Sequence, residues 1–144
     1  MMFRVLVHVT ALAIALSVNP VFAQSAESTK LGDEKYEPRV GQRGKDVIWV
    51  PTNDAVADAM LKAANVKPTD LVYDLGAGDG KIAIAAAKNF GATAVGIEYN
   101  KEMAELATRN TQRAGVADKV KIINGDIFVE DFSKATVVTM YLLP

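Results

Sequence analysis

The feature that most constrains the fold of this 144-residue chain is the segment of residues 72–80, Val-Tyr-Asp-Leu-Gly-Ala-Gly-Asp-Gly. It reads as an apolar strand that reaches a carboxylate and continues into a loop with glycine at every second position. Glycine has no Cβ atom and tolerates positive φ, so such a loop can press its backbone against a ligand. The helix predicted after the loop directs unpaired amides towards the same place. The segment therefore predicts a binding site for a nucleotide-like cofactor.

Strand and helix patterns alternate along the second half of the chain. Apolar runs predict four strands, at residues 71–75, 93–98, 120–124 and 136–142. Helices are predicted at residues 81–89 and 101–114, and each is followed by glycine. An earlier helix begins after Thr52 or Asn53, and its predicted inward residues are Val56, Ala59, Met60, Ala63 and Ala64. Continuous apolar strands alternating with helices are typical of a doubly wound parallel sheet in an α/β fold.

The N-terminal residues 1–23 have the pattern of a secretion signal. Arg4 gives a basic start, residues 5–18 form an apolar run, and a small-residue cleavage site ends at Ala23. The run is short for a membrane span, and an uncleaved N-terminal membrane anchor is the alternative. Cleavage predicts an exported, periplasmic protein. Residues 24–45 are polar without periodicity and are predicted to be a linker, which leaves residues 46–144 as the folded domain.

Composition excludes several chemistries. Cleavage after Ala23 would remove His8, the single histidine, and the chain has no cysteine. The mature chain is therefore without thiol nucleophiles, disulfides, Cys/His zinc sites and Ser-His-Asp triads, and no metal site is predicted. A formal net charge of −1 gives no electrostatic reason to expect a nucleic acid partner.

The glycine loop fits two common nucleotide motifs poorly. In the GxxxxGK[ST] phosphate loop, Leu75 would stand at the first glycine and Ile82 at the Ser/Thr position, so this motif is rejected. In the GxGxxG dinucleotide motif, Lys81 takes the place of the third glycine, and Gly80 comes one residue early. The spacing disfavours NAD and FAD but leaves them open.

Four features in register resemble class I S-adenosylmethionine-dependent methyltransferases. The loop Asp74-x-Gly76-x-Gly78-x-Gly80 resembles the family's first motif, and residues 139–144, Thr-Met-Tyr-Leu-Leu-Pro, fall at its active-site motif. Glu98 ends the second strand, where the family grips the ribose hydroxyls, and Asp126 follows the third, near the adenine amine. S-adenosylmethionine carries a sulfonium and an ammonium but no phosphate, so nearby carboxylates stabilise it.

The resemblance implies a Rossmann-like sheet with S-adenosylmethionine as cofactor. It assigns to cofactor binding the residues Asp74, Gly76, Ala77, Gly78, Gly80, Glu98, Tyr99, Asp126 and Ile127. Tyr141 and Pro144 are assigned to the walls of the substrate site. Methyl transfer from a sulfonium requires a neutral nucleophile about 3 Å from the methyl carbon. No histidine or metal is needed for that step.

A finer resemblance concerns residues 47–52, Val-Ile-Trp-Val-Pro-Thr, together with the glycine loop and residues 141–144. They resemble a subgroup of bacterial proteins with N-terminal signals and of mitochondrial lysine methyltransferases, which modify the c-type ring protein of ATP synthase and the adenine nucleotide carrier. This implies a protein lysine as methyl acceptor, possible substrates among membrane proteins, and a membrane nearby. Amino-methyltransferases of nucleobases usually carry [DN]PP[YF], so Tyr-Leu-Leu-Pro argues against base methylation.

The family's sheet has the strand order 3-2-1-4-5-7-6, and residues 46–144 supply only 3-2-1-4. We therefore expect a truncated, N-terminal half of the fold, with an apolar fourth strand as a bare edge. Two alternatives stay open: a non-catalytic remnant that binds cofactor or a partner at this edge, and a small-molecule or RNA methyltransferase. The sequence predicts no oligomeric state.

Overall fold

The computed structural model describes residues 36–143. This part contains helices α1 (Asp54–Ala63), α2 (Lys81–Phe90) and α3 (Lys101–Arg113) and strands β1 (Leu71–Leu75), β2 (Thr93–Glu98), β3 (Val120–Asn124) and β4 (Val137–Met140). The predicted secretion signal, residues 24–35 of the predicted linker, and Pro144 lie outside the described residues. Within residues 36–143, no helix has the length and apolar character needed to cross a membrane.

The four strands form one parallel sheet in the order β3-β2-β1-β4, which confirms the predicted α/β class and strand order. The first three strands have the predicted bounds, whereas β4 ends two residues earlier than predicted. The register explains the difference. Met140 lies opposite Leu75, the last residue of β1, and the chain beyond Leu75 turns into the glycine loop. Tyr141 therefore has no strand residue of β1 to pair with.

Helix α1 begins where the sequence predicts, because the Asn53 side chain accepts a hydrogen bond from the amide of Ala55 at 2.8 Å. Its predicted inward face was wrong. The buried residues are Ala57 and Leu61, both fully buried, while Ala63 is exposed. The helix carries two overlapping apolar stripes, and packing selects the one on which leucine reaches the core.

The core has two parts, one on each face of the sheet. Helices α1 and α2 pack on the first face, where alanines of α2 allow close approach to the strands. On the second face, Ile127 and Phe132 pack against buried residues of β1 and β2. The β4 residues opposite Tyr73 and Leu75 are Val138 and Met140, which are 47% and 59% exposed. The predicted apolar fourth-strand surface is thus present in the described part of the chain.

Candidate cofactor-binding site

A pocket of about 280 Å³ lies at the carboxyl edge of the sheet, where ligands of open α/β sheets bind. Its walls come from the glycine loop, the ends of β2 and β3, residues 42–50 and residues 141–143. The structure brings together here most of the predicted site residues: Gly76, Ala77, Gly78, Glu98, Tyr99, Asp126, Ile127 and Tyr141. Asp74 and Gly80 are buried and are not among the lining residues.

Glu98 is held at the pocket wall by two backbone amides. The amide of Gly78 donates to its Oε2 at 2.9 Å, and the amide of Asn100 donates to its Oε1 at 2.8 Å. Each carboxylate oxygen has two lone pairs, so each can accept one more hydrogen bond. Burial raises the pKa of Glu98, and the backbone hydrogen bonds oppose that rise. The side chain is therefore a fixed, two-oxygen acceptor suited to a pair of neighbouring hydroxyls.

The amides of the glycine loop already have acceptors within the protein. Those of Gly76 and Ala77 both donate to the carbonyl of Ile97 at 2.9 Å, and that of Gly78 is used by Glu98. The amide of Gly80 donates to the carbonyl of Ala77. The loop therefore differs from our expectation of amides aimed at a ligand. It forms no cradle of free N–H groups of the kind that binds pyrophosphate.

The missing side chains of two loop glycines admit protein groups. Gly76 and Gly78 have φ values of 78° and 55°, which disfavour other residues. A Cβ atom on Gly76 would lie 2.5 Å from Cδ2 of Leu142, and one on Gly78 would lie 2.8 Å from Nε1 of Trp49. Trp49 and Leu142 thus pack directly against the loop. Together with Tyr141 they give the pocket an apolar wall.

Asp74 lies beneath the loop with only 1% of its surface exposed. The hydroxyl of Thr139 on β4 donates to its Oδ1 at 2.8 Å. Burial raises the pKa of Asp74 to about 7, the nearby Asp79 and Glu98 raise it further, and the hydrogen bond from Thr139 opposes the rise. Sequence reasoning missed Thr139 because its position opposite Asp74 depends on the β1–β4 register.

Asp126 has a partner that the sequence did not indicate. Its Oδ2 accepts a hydrogen bond from Nζ of Lys45 at 2.6 Å, and its Oδ1 accepts one from the amide of Phe128 at 3.0 Å. The hydrogen bond from Lys45 is the main reason that the pKa of Asp126 is lowered. Lys45 belongs to the segment predicted to be a linker, and the structure places residues 42–44 of that segment in the pocket wall.

These residues suit S-adenosylmethionine. Glu98 offers acceptors for two ribose hydroxyls, and Asp126 offers one for an amine. The loop offers no phosphate cradle to a dinucleotide. The buried acids Asp74, Asp79 and Glu98 make the pocket floor favourable for a cation. The volume of about 280 Å³ is near the lower end of the range for small-molecule sites.

Comparison with known proteins identifies several methyltransferases. A sequence model of the ANTKMT methyltransferase domain matches residues 74–144. A protein-lysine N-methyltransferase of Saccharolobus islandicus is 48% identical over 98 residues, 67% of this chain and 61% of that protein. The human lysine N-methyltransferase that is named for the c-type ring protein of ATP synthase is 33% identical over 96 residues, 67% of this chain and 40% of that protein.

A solved structure is also similar. The RNA methyltransferase from Salinibacter ruber, in complex with S-adenosyl-L-homocysteine, has 53% sequence identity and a TM-score of 0.65. The match covers 66% of this chain and 62% of that one. This chain therefore spans less than two thirds of the length of each of these three proteins.

Proposed function

This chain belongs to the class I S-adenosylmethionine-dependent methyltransferases, and we propose that it transfers a methyl group to a lysine amine of a protein. The observation that carries the proposal is the arrangement of Glu98 and the glycine loop. The carboxylate is oriented by the amides of Gly78 and Asn100, and the loop amides are spent within the protein. Such a site suits a nucleoside without phosphates.

When bound, S-adenosylmethionine supplies a methyl group on a sulfonium, which is already a good leaving group. The chain's own residues then have to bind, orient and exclude water. Trp49, Tyr141 and Leu142 provide apolar surface beside the loop. An apolar environment lowers the pKa of a lysine amine and so favours the neutral nucleophile. This role requires neither histidine nor cysteine.

A protein acceptor is favoured over RNA by two observations. The named relatives include a protein-lysine N-methyltransferase and two lysine N-methyltransferases named for the c-type ring protein of ATP synthase. The chain has 16 basic and 17 acidic residues, so it lacks the excess positive charge with which proteins bind phosphate backbones. The similar structure from Salinibacter ruber is described as an RNA methyltransferase, which makes RNA the acceptor to test beside protein.

The experiment has two stages, both with the full chain. Calorimetry first measures binding of S-adenosylhomocysteine, with NAD as the comparison; we expect binding of the former alone. Tritiated S-adenosylmethionine is then supplied with a protein mixture, with the same mixture after lysine acetylation, and with RNA. Label in the first sample alone supports a protein lysine acceptor. Label in the acetylated protein or in RNA alone would refute the proposed acceptor, and absence of S-adenosylhomocysteine binding would refute the proposed cofactor.

A further inference from the structure

Residues 41–49 form a hairpin at the mouth of the pocket, which we call the N-terminal hairpin. The amide of Gly41 donates to the carbonyl of Trp49 at 2.8 Å, and the amide of Trp49 donates to the carbonyl of Gln42 at 2.9 Å. Near the tip, the amide of Gly44 donates to the carbonyl of Val47 at 2.8 Å. Lys45 and Asp46 are therefore the two residues of the tip. The hairpin has its own main-chain bonds, so its shape does not depend on the Lys45 side chain.

The Lys45 ammonium lies among three groups from other parts of the chain. It is 2.6 Å from Oδ2 of Asp126, and it lies 5.3 Å and 5.2 Å from the ring centroids of Tyr99 and Phe128. Both ring distances are within the range of a cation–π interaction. Tyr99 follows β2, and Asp126 and Phe128 follow β3. Lys45 thus connects the hairpin tip to the carboxyl edge of the sheet.

The same three groups are those that a purine would use. A planar base stacks on aromatic rings, and its exocyclic amine donates to a carboxylate. Oδ1 of Asp126 is already engaged by the amide of Phe128, and Oδ2 is engaged by Lys45. The ammonium also lies over both rings, where a stacked base would have to lie. A purine and the Lys45 ammonium therefore compete for one space and one acceptor.

We infer that Lys45 sets the affinity of this site for the adenine end of the cofactor, by occupying the place of the purine until the cofactor displaces it. The inference rests on the proposed cofactor and goes beyond it. The Lys45 side chain is 35% exposed and that of Asp126 is 23% exposed, so the released ammonium can return to water at little cost. The contact holds the hairpin tip over the pocket and opposes purine entry.

The test replaces the lysine and measures binding of S-adenosylhomocysteine to the full chain by calorimetry. Lys45→Met keeps the apolar stem and removes the ammonium. We expect affinity to rise about three- to tenfold, the size that a partly exposed ion pair with cation–π contacts supports. Lys62→Met is the matched control, since it removes one positive charge from an exposed position on α1, and we expect it to bind as the wild type does.

Ionic strength provides a readout that a merely structural role would not change. Salt screens the Lys45–Asp126 pair, so the difference in affinity between wild type and Lys45→Met should shrink between about 50 mM and about 500 mM salt. Equal or weaker binding by Lys45→Met at low salt would overturn the inference. Binding by Lys45→Met without measurable binding by the wild type would support it. Absence of binding by both proteins would overturn it together with the proposed cofactor, whereas wild-type binding unaffected by Lys45→Met would overturn the inference alone.

Discussion

The buried carboxyl of Asp74 makes a specific prediction about stability and pH. Its pKa is raised from 3.8 to about 7 in the folded chain, mainly by burial. Between these values the folded protein keeps a proton that the unfolded chain has lost, so the free energy of unfolding falls as pH rises. The whole difference corresponds to about 4 kcal/mol, and about 3 kcal/mol of it falls between pH 5 and pH 8.

Asp74→Asn removes this titration while keeping the shape of the side chain. The asparagine Oδ1 can still accept the hydrogen bond that Thr139 donates at 2.8 Å. Relative to wild type, we therefore expect the variant to gain about 3 kcal/mol in unfolding free energy on going from pH 5 to pH 8. Urea denaturation at both pH values measures it, with Asp118→Asn as an exposed control. If Asp74→Asn shows the wild-type dependence on pH, burial does not control this carboxyl and the reasoning is wrong.

Two further predictions concern the pocket wall. Glu98→Gln should weaken S-adenosylhomocysteine binding about 10- to 100-fold in calorimetry, because one charged acceptor is lost; Glu102→Gln, on the exposed side of α3, should not, and equal effects would contradict the assigned role. Gly78→Ala should displace the indole of Trp49, the single tryptophan, and shift its fluorescence. Gly115→Ala has a similar φ in open space, so a shift of equal size there would rule out direct displacement.

Much of the fold was predictable because its signals are local. The bounds of β1, β2 and β3 follow from apolar runs that end at polar or glycine positions. Asn53 and Asn100 cap their helices through their own side chains, and Gly91 ends α2 with a φ of 74°. Each signal needs only a few neighbouring residues, so it can be read without the tertiary structure.

The convergence of the site was predictable for a related reason. Residues that follow parallel strands lie at one edge of the sheet, so Glu98 and Asp126 were expected near the glycine loop, and the structure places them in one pocket with it. Whether a given residue faces that pocket was not predictable. Asp74 ends up beneath the loop because alternate strand residues point to opposite sides and the loop covers its end of β1.

Local propensity and spacing were enough to establish the alternation of strands and helices, the glycine loop and the acids at the strand ends. Three other features required the folded structure: which α1 stripe is buried, that Thr139 meets Asp74, and that Lys45 meets Asp126 across 81 residues of chain. Such contacts depend on sheet register and on the path of the N-terminal hairpin. Neither leaves a periodic mark on the residues involved, because a single long-range pair imposes no pattern on its neighbours.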